Sequence, residues 1–594
     1  MNSDSIPSPA RRAILSAAAA AMASQLLPKR ADSIEVKSGP KRVVKKSKPP
    51  AGYNILFILV DEERFFPRWP IPVPAREWIK SNGITFTNHQ AAACVCSPAR
   101  STIYTGQHIQ HSGIFDLLNW PWQPDLSTNV ATIGHRLTKL GYYASYQGKW
   151  HLSANLDKTK TPFDAPVADY NKTMESYGFN DFFGVGDLID SCLGGYTYDD
   201  GTAAIADAWL RRQAHELKRN QQPWFLAVNF VNPHDTTYFN SDLPNQNVQG
   251  KANVMEIARA QNNKIYQKNW DQVPLPRTRH QAFDEIGRPK GQKIYQDVDN
   301  VLFGDWPDED RRWRALQNYY FNAIRDCDRQ VQRVLDSLND NGFAEDTIIV
   351  FTADHGELGG SHQMRDKGTC TYREQNHIPL MIVHPAYQGG KECAAITSQI
   401  DLVPTLIGLT GRDQASQKSA AQGLKGKDFS GLLKRPELAQ QNTVRPAALF
   451  CYNMMSYLDS KWARRVFPAM VAGSSSAELQ ALLEKDKPDL NNRCGIRSIW
   501  NGRYRFSRYF TPNAFNTPTT LEALLSNNDL EVYDLLNDPN ETKNLANNSQ
   551  ANKALIRALN NSMNELIAEE VGVDDGSFLP IRNGTLLLAP VSER

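Results

Sequence analysis

Short apolar runs alternate with amphipathic stretches from about residue 53 of this 594-residue chain, and this alternation limits the fold more than any other feature. The runs are continuous and rich in β-branched residues, as in strands buried on both faces of a parallel sheet. Strands that alternate with helical stretches predict an α/β fold with a mostly parallel central sheet. The predicted strands are NILFILV (54–60), YYASYQ (142–147), FLAVNFV (225–231), TIIVFTA (347–353) and PLMIV (379–383).

The composition of successive segments predicts how the chain is organised. The clearest helical pattern spans about 311–340 and stops at Asn341-Gly342. A polar, Gln-, Lys- and Gly-rich stretch separates the α/β pattern from short alternating runs and a terminal helix near 551–569, which predict a smaller C-terminal α+β subdomain. We therefore expect an export signal at 1–23, a basic linker at 24–50, a catalytic domain at 51–410 with an insertion at 236–310 that acts as a lid, a linker at 411–444, and the subdomain at 445–594.

The first 23 residues have the three-part layout of an export signal. A polar segment ends in Arg11-Arg12, an apolar stretch follows, and Ala21-Met22-Ala23 fits a cleavage site, with the arginine pair indicating the twin-arginine route. An Ala-rich helical tail is the alternative. The stretch is shorter than the ~20 apolar residues that span a bilayer. We expect an exported protein, periplasmic or secreted, without a membrane span.

The charge balance argues against nucleic acid as a partner. Lys plus Arg is 66 and Asp plus Glu is 64, so the net charge is +2 and no global field attracts a polyanion. Any recognition of an anion must therefore be local. The eight cysteines are too sparse for a disulfide scaffold, and their spacings contain no CxxC pair.

Polar side chains follow the predicted strands at the points where the strands end. Because ligands bind at the carboxyl ends of the strands in open α/β sheets, we expect these side chains to share one edge. The acids among them indicate a divalent metal, for which carboxylates suit calcium, magnesium or manganese and an imidazole favours manganese or zinc. The residues are Asp61, Glu62, Lys149, His151, His234, Asp235, Asp354 and His355.

The densest local signal is residues 94–106, CVCSPARSTIYTG. Pro98 fits the first turn of a helix, which would put Cys96 at a helix N-terminus, an end that favours anions. One interpretation is the C-x5-R-S loop of a metal-free cysteine phosphatase, with Cys94 as thiolate and Arg100 holding the oxyanion. Another is simply two buried cysteines beside an arginine.

A third interpretation starts from Cys96. Cys96-Ser97-Pro98-Ala99-Arg100 resembles the C-x-P-x-R motif of type I sulfatases, a family with an alkaline-phosphatase-like α/β fold, and the resemblance covers about residues 53–546. Further segments resemble family motifs in the same order: Gly141-Tyr142, Gly148-Lys149-Trp150-His151, Pro233-His234, Asp354-His355-Gly356, Lys367 with Tyr372, Glu374 and Pro379, Asp401-Leu402-Val403-Pro404-Thr405, and Val532-Tyr533-Asp534-Leu535 with Asp538-Pro539, Glu541 and Asn544-Leu545.

The resemblance implies a sulfatase that hydrolyses a small-molecule or saccharide sulfate ester. It implies that a formylglycine-generating enzyme oxidises Cys96 to formylglycine, whose hydrate is the nucleophile, and that one divalent metal is bound: calcium first, with manganese, magnesium or zinc as alternatives. The implied metal ligands are Asp61, Glu62, converted Cys96, Asp354 and His355. Of the other implied roles, Arg100 and Lys149 fix the hydrate, His151 is the base for its second hydroxyl, and His234 and Lys367 bind the sulfate and serve the leaving oxygen.

Two positions depart from the commonest family pattern. Many sulfatases have Asp where this chain has Glu62 and Asn where it has His355, whereas choline-sulfatase-like enzymes and phosphonate monoester hydrolases resemble this chain more closely there. A phosphonate monoester or phosphodiester hydrolase is therefore an alternative function. A non-catalytic protein that binds an anion or a glycan is another. Trp120, Trp122 and Trp150 are candidates to shape the pocket.

Overall fold

The computed structural model describes residues 48–49, 52–153, 167–183, 192–251, 253–472 and 474–589. The predicted export signal and most of the basic linker lie outside these residues. No helix within these ranges is both long enough and apolar enough to cross a bilayer.

In the described part of the chain, eight strands form the central sheet, in the order β4-β3-β5-β1-β6-β7-β2-β8. β1 lies in the middle and pairs in parallel with β5 and β6, and β3 pairs in parallel with β4 and β5. The α/β class and the mostly parallel sheet are therefore confirmed. The strands are β1 Asn54–Asp61, β2 Ile84–Gln90, β3 Tyr143–Gly148, β4 Asn180–Phe183, β5 Trp224–Pro233, β6 Thr347–Ala353, β7 Leu380–Val383 and β8 Lys391–Ser398.

The direction of β7 differs from the prediction. The PLMIV run is a buried strand, but it pairs antiparallel with both β6 and β2. A fully buried apolar run looks the same in either direction, because the connection sets the strand polarity. Residues 354–379 join the end of β6 to the start of β7 at one edge of the sheet, so the chain returns antiparallel without a crossover.

Helices cover both faces of the sheet, which explains why its strands are continuously apolar. Leu56, Ile58 and Val60 of β1 pack into one helical layer, and the alternating residues Ile55 and Phe57 pack into the other. The helices are α1 Pro74–Asn82, α2 Cys96–Thr105, α3 Ile109–Ser112, α4 Ile133–Thr138, α5 Val167–Ser176, α6 Gly194–Arg219, α7 Lys290–Phe303, α8 Asp310–Asp340, α9 Arg373–Asn376, α10 Leu402–Leu409, α11 Gln414–Ala420, α12 Ser460–Val471, α13 Ser476–Lys485, α14 Leu521–Asn527 and α15 Lys553–Glu570.

The C-terminal region forms a second, antiparallel sheet in the order β12-β11-β10-β9. Its core is continuous with the segment before α2, since Cys94 and Val95 pack in the same apolar cluster as Leu449 and Ile499. Trp120 and Trp122 lie in that cluster as well. Strands of this region are β9 Ala448–Tyr452, β10 Gly495–Trp500, β11 Tyr504–Phe510 and β12 Asp529–Asp534, with a hairpin of β13 Ile581–Arg582 and β14 Thr585–Leu586.

A buried carboxylate joins the second sheet to the loop between β6 and β7. Glu531 of β12 accepts hydrogen bonds from the hydroxyls of Tyr509 (2.6 Å) and Tyr533 (2.9 Å). It also accepts from Tyr372 of the loop (3.1 Å) and from the Gln292 amide of α7 (3.0 Å). Four donors compensate the cost of burying this carboxylate. The position of the loop therefore depends on the second sheet.

We predict that Gly106→Ala destabilises the fold more than Gly113→Ala. Both glycines end helices in the left-handed region, with φ of +68° and +76°, where a side chain costs about 1–2 kcal/mol. A Cβ at Gly106 would also lie 2.9 Å from Cβ of Val403, whereas a Cβ at Gly113 meets nothing within 4 Å. Thermal unfolding of both variants in one buffer measures the difference, and equal melting temperatures would contradict it.

Candidate active site

Cys96 is the first residue of α2 and lies against the carboxyl ends of the two central strands. All ten residues of α2 are buried. Asp61 is the last residue of β1, and Asp354 and His355 directly follow β6. Because β1 and β6 are parallel neighbours, their ends bring these side chains together beneath the N-terminus of α2.

Four donor atoms converge at this point. One atom each from Asp61, Cys96, Asp354 and His355 lies within 4.8 Å of all the others. Sγ of Cys96 is 3.4 Å from Oδ1 of Asp61 and 3.2 Å from Nε2 of His355. Every one of these side chains is buried. We refer to these four residues as the metal cluster.

The metal cluster has the chemistry that a divalent cation requires. Nδ1 of His355 is 3.1 Å from the carbonyl oxygen of Gly356, and an N–H donated there leaves the Nε2 lone pair for a metal. Oδ1 of Asp61 and Oδ1 of Asp354 lie 3.8 and 3.7 Å from Nε2. Two carboxylates balance a 2+ charge, and oxygen donors with one imidazole suit manganese, zinc, magnesium or calcium.

Two cations hold the opposite oxygens of the same carboxylates. Arg100 donates from Nη2 to Oδ2 of Asp61 (2.9 Å) and from Nε to Oδ2 of Asp354 (3.1 Å). Nζ of Lys149 is 2.9 Å from Oδ2 of Asp61. Burial acts to raise the pKa of Asp61, but the surrounding positive charges, Lys149 foremost, hold that pKa well below its usual value. Asp61 is therefore an anion at neutral pH.

The unmodified cysteines are poor nucleophiles in this setting. Burial, reinforced by the Asp61 carboxylate, raises the pKa of the Cys96 thiol to about 12. Burial also raises the pKa of Cys94 well above its usual value. Arg100 donates to Asp61, Asp354 and the Lys149 carbonyl and not to Cys94. This arrangement does not supply the thiolate or the free arginine that a cysteine phosphatase needs.

A second group of polar residues adjoins the metal cluster, and Glu62 belongs to it. Oε2 of Glu62 lies 3.0 Å from Nδ1 of His234, accepts from Oγ1 of Thr237 (3.1 Å) and forms a short ion pair with Nζ of Lys367. Lys367 also contacts Oδ1 of Asp366 (2.8 Å) and Nδ1 of His234 (3.1 Å). We call these five residues the Lys367 group.

The predicted catalytic residues carry different charges. Although burial disfavours the Lys367 ammonium, Asp366 and Glu62 raise its pKa well above the usual value. Burial lowers the pKa of His234 well below its usual value, and Lys149 acts in the same direction. The same two causes lower the pKa of His151, which follows β3. Both imidazoles are therefore neutral at pH 7.

Three residues contact the candidate active-site residues although the sequence gives little or no indication of them. Thr237 lies three residues after His234 on a 3-10 turn, and Asp366 is next to Lys367, so spacing could have indicated both. Gln399 has no local signal, yet its amide donates to the Asp354 carbonyl (2.5 Å) and accepts from Ala92 N–H (2.9 Å). The three predicted pocket residues Trp120, Trp122 and Trp150 are instead buried in apolar clusters.

Comparisons with known proteins match a protein family by sequence and a shared fold by structure. A family profile described as Sulfatase matches residues 54–412. The choline-sulfatase of Rhizobium meliloti (strain 1021) is 26% identical over 385 residues, which cover 60% of this chain and 67% of that protein. The solved complex of BT4656 with its substrate D-glucosamine-2-N,6-O-disulfate has a TM-score of 0.61 at 17% identity, covering 89% of this chain and 99% of that one. The solved structure of the phosphonate monoester hydrolase of Silicibacter pomeroyi has a TM-score of 0.57 at 17% identity, and the match covers 90% of this chain and 98% of that one.

We predict that His355→Ala lowers metal binding, because it removes one of four converging donor atoms. After dialysis against trace-metal-free buffer, elemental analysis should find a substoichiometric divalent cation in this variant and about one per chain in the parent. His111→Ala, outside the cluster, is the control. If His355→Ala binds as much metal as the parent protein, the His355 imidazole is not a metal ligand.

Proposed function

This chain belongs to the sulfatase family, whose members hydrolyse sulfate esters, and from that premise we propose that it acts at the metal cluster and the Lys367 group with residue 96 as formylglycine. One observation supports the proposal most strongly: Cys96 lies among two carboxylates and an imidazole. The pKa of its thiol is about 12 there, so a thiolate is disfavoured. A hydroxyl group made from the same residue is neutral at rest, so burying it here would cost less free energy than burying a thiolate.

Asp61, residue 96, Asp354 and His355 would hold the divalent cation, which acts as a Lewis acid and lowers the pKa of an attached hydroxyl. Calcium is the first candidate from the family resemblance, and the imidazole among the donors makes manganese and zinc the alternatives. Oδ1 of each aspartate would face the cation, while Arg100 keeps the Oδ2 atoms fixed. We propose that these ion pairs orient the ligands before the metal binds.

Formylglycine hydrate would supply two hydroxyl groups on one carbon, one to attack sulfur and one whose deprotonation releases sulfate. We propose that Lys149 and Arg100 hold the hydrate and neutralise the charge on the sulfate oxygens. His151, kept neutral by burial, would accept the hydroxyl proton on a ring nitrogen. His234 and Lys367 would bind the sulfate at the other side and donate a proton to the leaving oxygen.

A sulfated saccharide or a small sulfate ester is the proposed substrate class. The choline-sulfatase and the disulfated-sugar complex among the compared proteins represent these two classes. The phosphonate monoester hydrolase of the same fold makes phosphonate esters the second candidate. We also propose export from the cell and maturation by a formylglycine-generating enzyme. Both rest on sequence motifs alone, and sequencing the N-terminus of the exported protein tests the first.

Cys96→Ala is expected to abolish hydrolysis of 4-nitrophenyl sulfate, while Cys94→Ala retains most of it. The reason is that only residue 96 reaches the metal cluster, whereas Cys94 packs in an apolar core. Mass spectrometry of the tryptic peptide Ser81–Arg100 should find an aldehyde in place of one thiol. The mechanism would be ruled out if the active protein has both thiols intact. It would also be ruled out if Cys94→Ala abolishes the activity and Cys96→Ala retains it.

A panel of sulfate, phosphate and phosphonate esters should show the highest kcat/KM for a sulfate ester. Chelators should remove the activity, and the divalent cation should restore it. A phosphonate ester as the best substrate would favour the second candidate function. An unmodified Cys96 with no turnover of any ester would favour a non-catalytic anion- or glycan-binding protein.

A further inference from the structure

We infer that Gln399 is a positioning residue that fixes the helix bearing residue 96 relative to the metal ligand Asp354. The inference rests on the proposed function and adds a residue to it. Gln399 is uncharged and fully buried, and it lies outside the motifs on which the family resemblance rests. Its side chain contacts three separate segments of the chain, and each of them carries or adjoins a part of the candidate active site.

Both ends of the Gln399 amide are engaged. Nε2 donates to the main-chain carbonyl of Asp354 (2.5 Å). Oε1 accepts from the Ala92 N–H (2.9 Å) and lies 3.1 Å from Oγ1 of Thr102, a hydroxyl that can donate to it. A main-chain carbonyl only accepts and a main-chain N–H only donates, so these partners determine which end of the amide faces which segment.

The three partners belong to different parts of the candidate active site. Asp354 follows β6 and supplies one donor atom of the metal cluster. Thr102 lies on α2, the helix that begins at Cys96. Ala92 lies in the segment that leads into this helix. Gln399 therefore connects a metal ligand to the helix that presents the nucleophile and to the chain just before that helix.

The main chain around Gln399 is itself held in place. Gln399 begins a 3-10 turn directly after β8. The Asp401 carboxylate of this turn accepts from the Ser398 N–H (2.8 Å) and forms a two-point ion pair with Arg445. Arg445 also donates to Oε1 of Glu570 in the terminal helix α15 (2.8 Å). The amide of Gln399 thus extends from a fixed turn, and its contacts can fix the position of other segments.

The contact of Gln399 complements that of Arg100. Arg100 donates to a side-chain oxygen of Asp354, whereas Gln399 donates to its main-chain carbonyl. A carboxylate can rotate about its side-chain bonds, so the main-chain contact limits where its ligand oxygen can lie. Outer partners of metal ligands typically contribute about 10- to 100-fold to metal affinity or activity. Loss of the Gln399 amide should therefore weaken metal binding and misplace residue 96.

The experiment compares Gln399→Met with Gln123→Met in the mature enzyme. Methionine is similar to glutamine in length and packs in buried sites, but it makes no strong hydrogen bond. Gln123 is the matched control because it is also buried and its amide also joins main-chain groups. It accepts from the N–H groups of Phe115 (3.0 Å) and Asp116 (2.8 Å) and donates to the Gly113 carbonyl (3.1 Å), none of which belongs to the metal cluster or the Lys367 group.

We expect Gln399→Met to bind Ca²⁺ and Mn²⁺ about 10- to 100-fold more weakly than the parent, as measured by equilibrium dialysis of chelator-treated enzyme. At saturating metal and equal conversion of residue 96, its kcat for 4-nitrophenyl sulfate should fall by up to about 10²-fold, because a shift of ~1 Å at the reacting atoms has an effect of this size. Gln123→Met should keep the metal affinity and kcat of the parent, although thermal unfolding shows it to be less stable.

Two results would overturn the inference. One is parent-level metal affinity and kcat in Gln399→Met. The other is an equal loss in both variants, which would attribute the effect to stability alone. Thr102→Val keeps the Asp354 contact and removes only the hydroxyl next to Gln399, so it is the test if Gln399→Met does not fold. Its kcat should fall on the order of tenfold with metal affinity unchanged, and a parent-level kcat would refute the inference.

Failure of the proposed function would look different, because it would appear in the parent enzyme as an intact thiol at residue 96 or as preference for a phosphonate ester. The metal affinities of Gln399→Met and Gln123→Met are measured without any ester. They therefore decide whether Gln399 positions the metal ligand in either case, and kcat is then compared with whichever ester class the parent hydrolyses.

Discussion

The buried ion pairs of Arg100 are the constraint on which the site depends. One guanidinium, itself fully buried, joins the end of β1 through Asp61 to the end of β6 through Asp354, and it extends from the helix that begins at Cys96. Two carboxylates buried this close together repel one another, and removing one partner of such a pair typically costs about 3–5 kcal/mol. Arg100 thus allows Asp61, Asp354 and Cys96 to lie close enough together for one metal ion to contact all three.

The sequence was most informative where burial or strand ends decide the structure. The run 54–60 predicts a central strand because both of its faces are covered, and the side chains after it and after 347–353 do meet, since parallel neighbours share an edge. The direction of β7 was not predictable from its composition, because it depends on which edge of the sheet the connecting residues 354–379 follow. The burial of Trp150 follows from packing against Tyr104 and Phe179, contacts that are distant in the chain.

The site residues illustrate a further limit. Glu62 has a left-handed backbone, with φ of +74°, and its carboxylate contacts His234 and Lys367 while an oxygen of it stays within 4.8 Å of one of Asp61. Glu62 and Lys367, which are 305 residues apart in the chain, form one of the shortest ion pairs in the described part of the chain. Gln399 supports Asp354 by an amide contact for which no sequence motif exists. Such contacts depend on tertiary structure and become visible only in coordinates.

The second sheet, which comes late in the chain, also covers the neighbourhood of Cys96. The Cys451 N–H donates to the Ala92 carbonyl (2.9 Å), and Cys94 and Val95 pack into the core that this sheet completes. The ribosome therefore finishes Cys96 long before the strands that cover its neighbourhood emerge. Once they close, the residue is 1% exposed. The proposed conversion of Cys96 to formylglycine would therefore have to take place before these strands close over the residue.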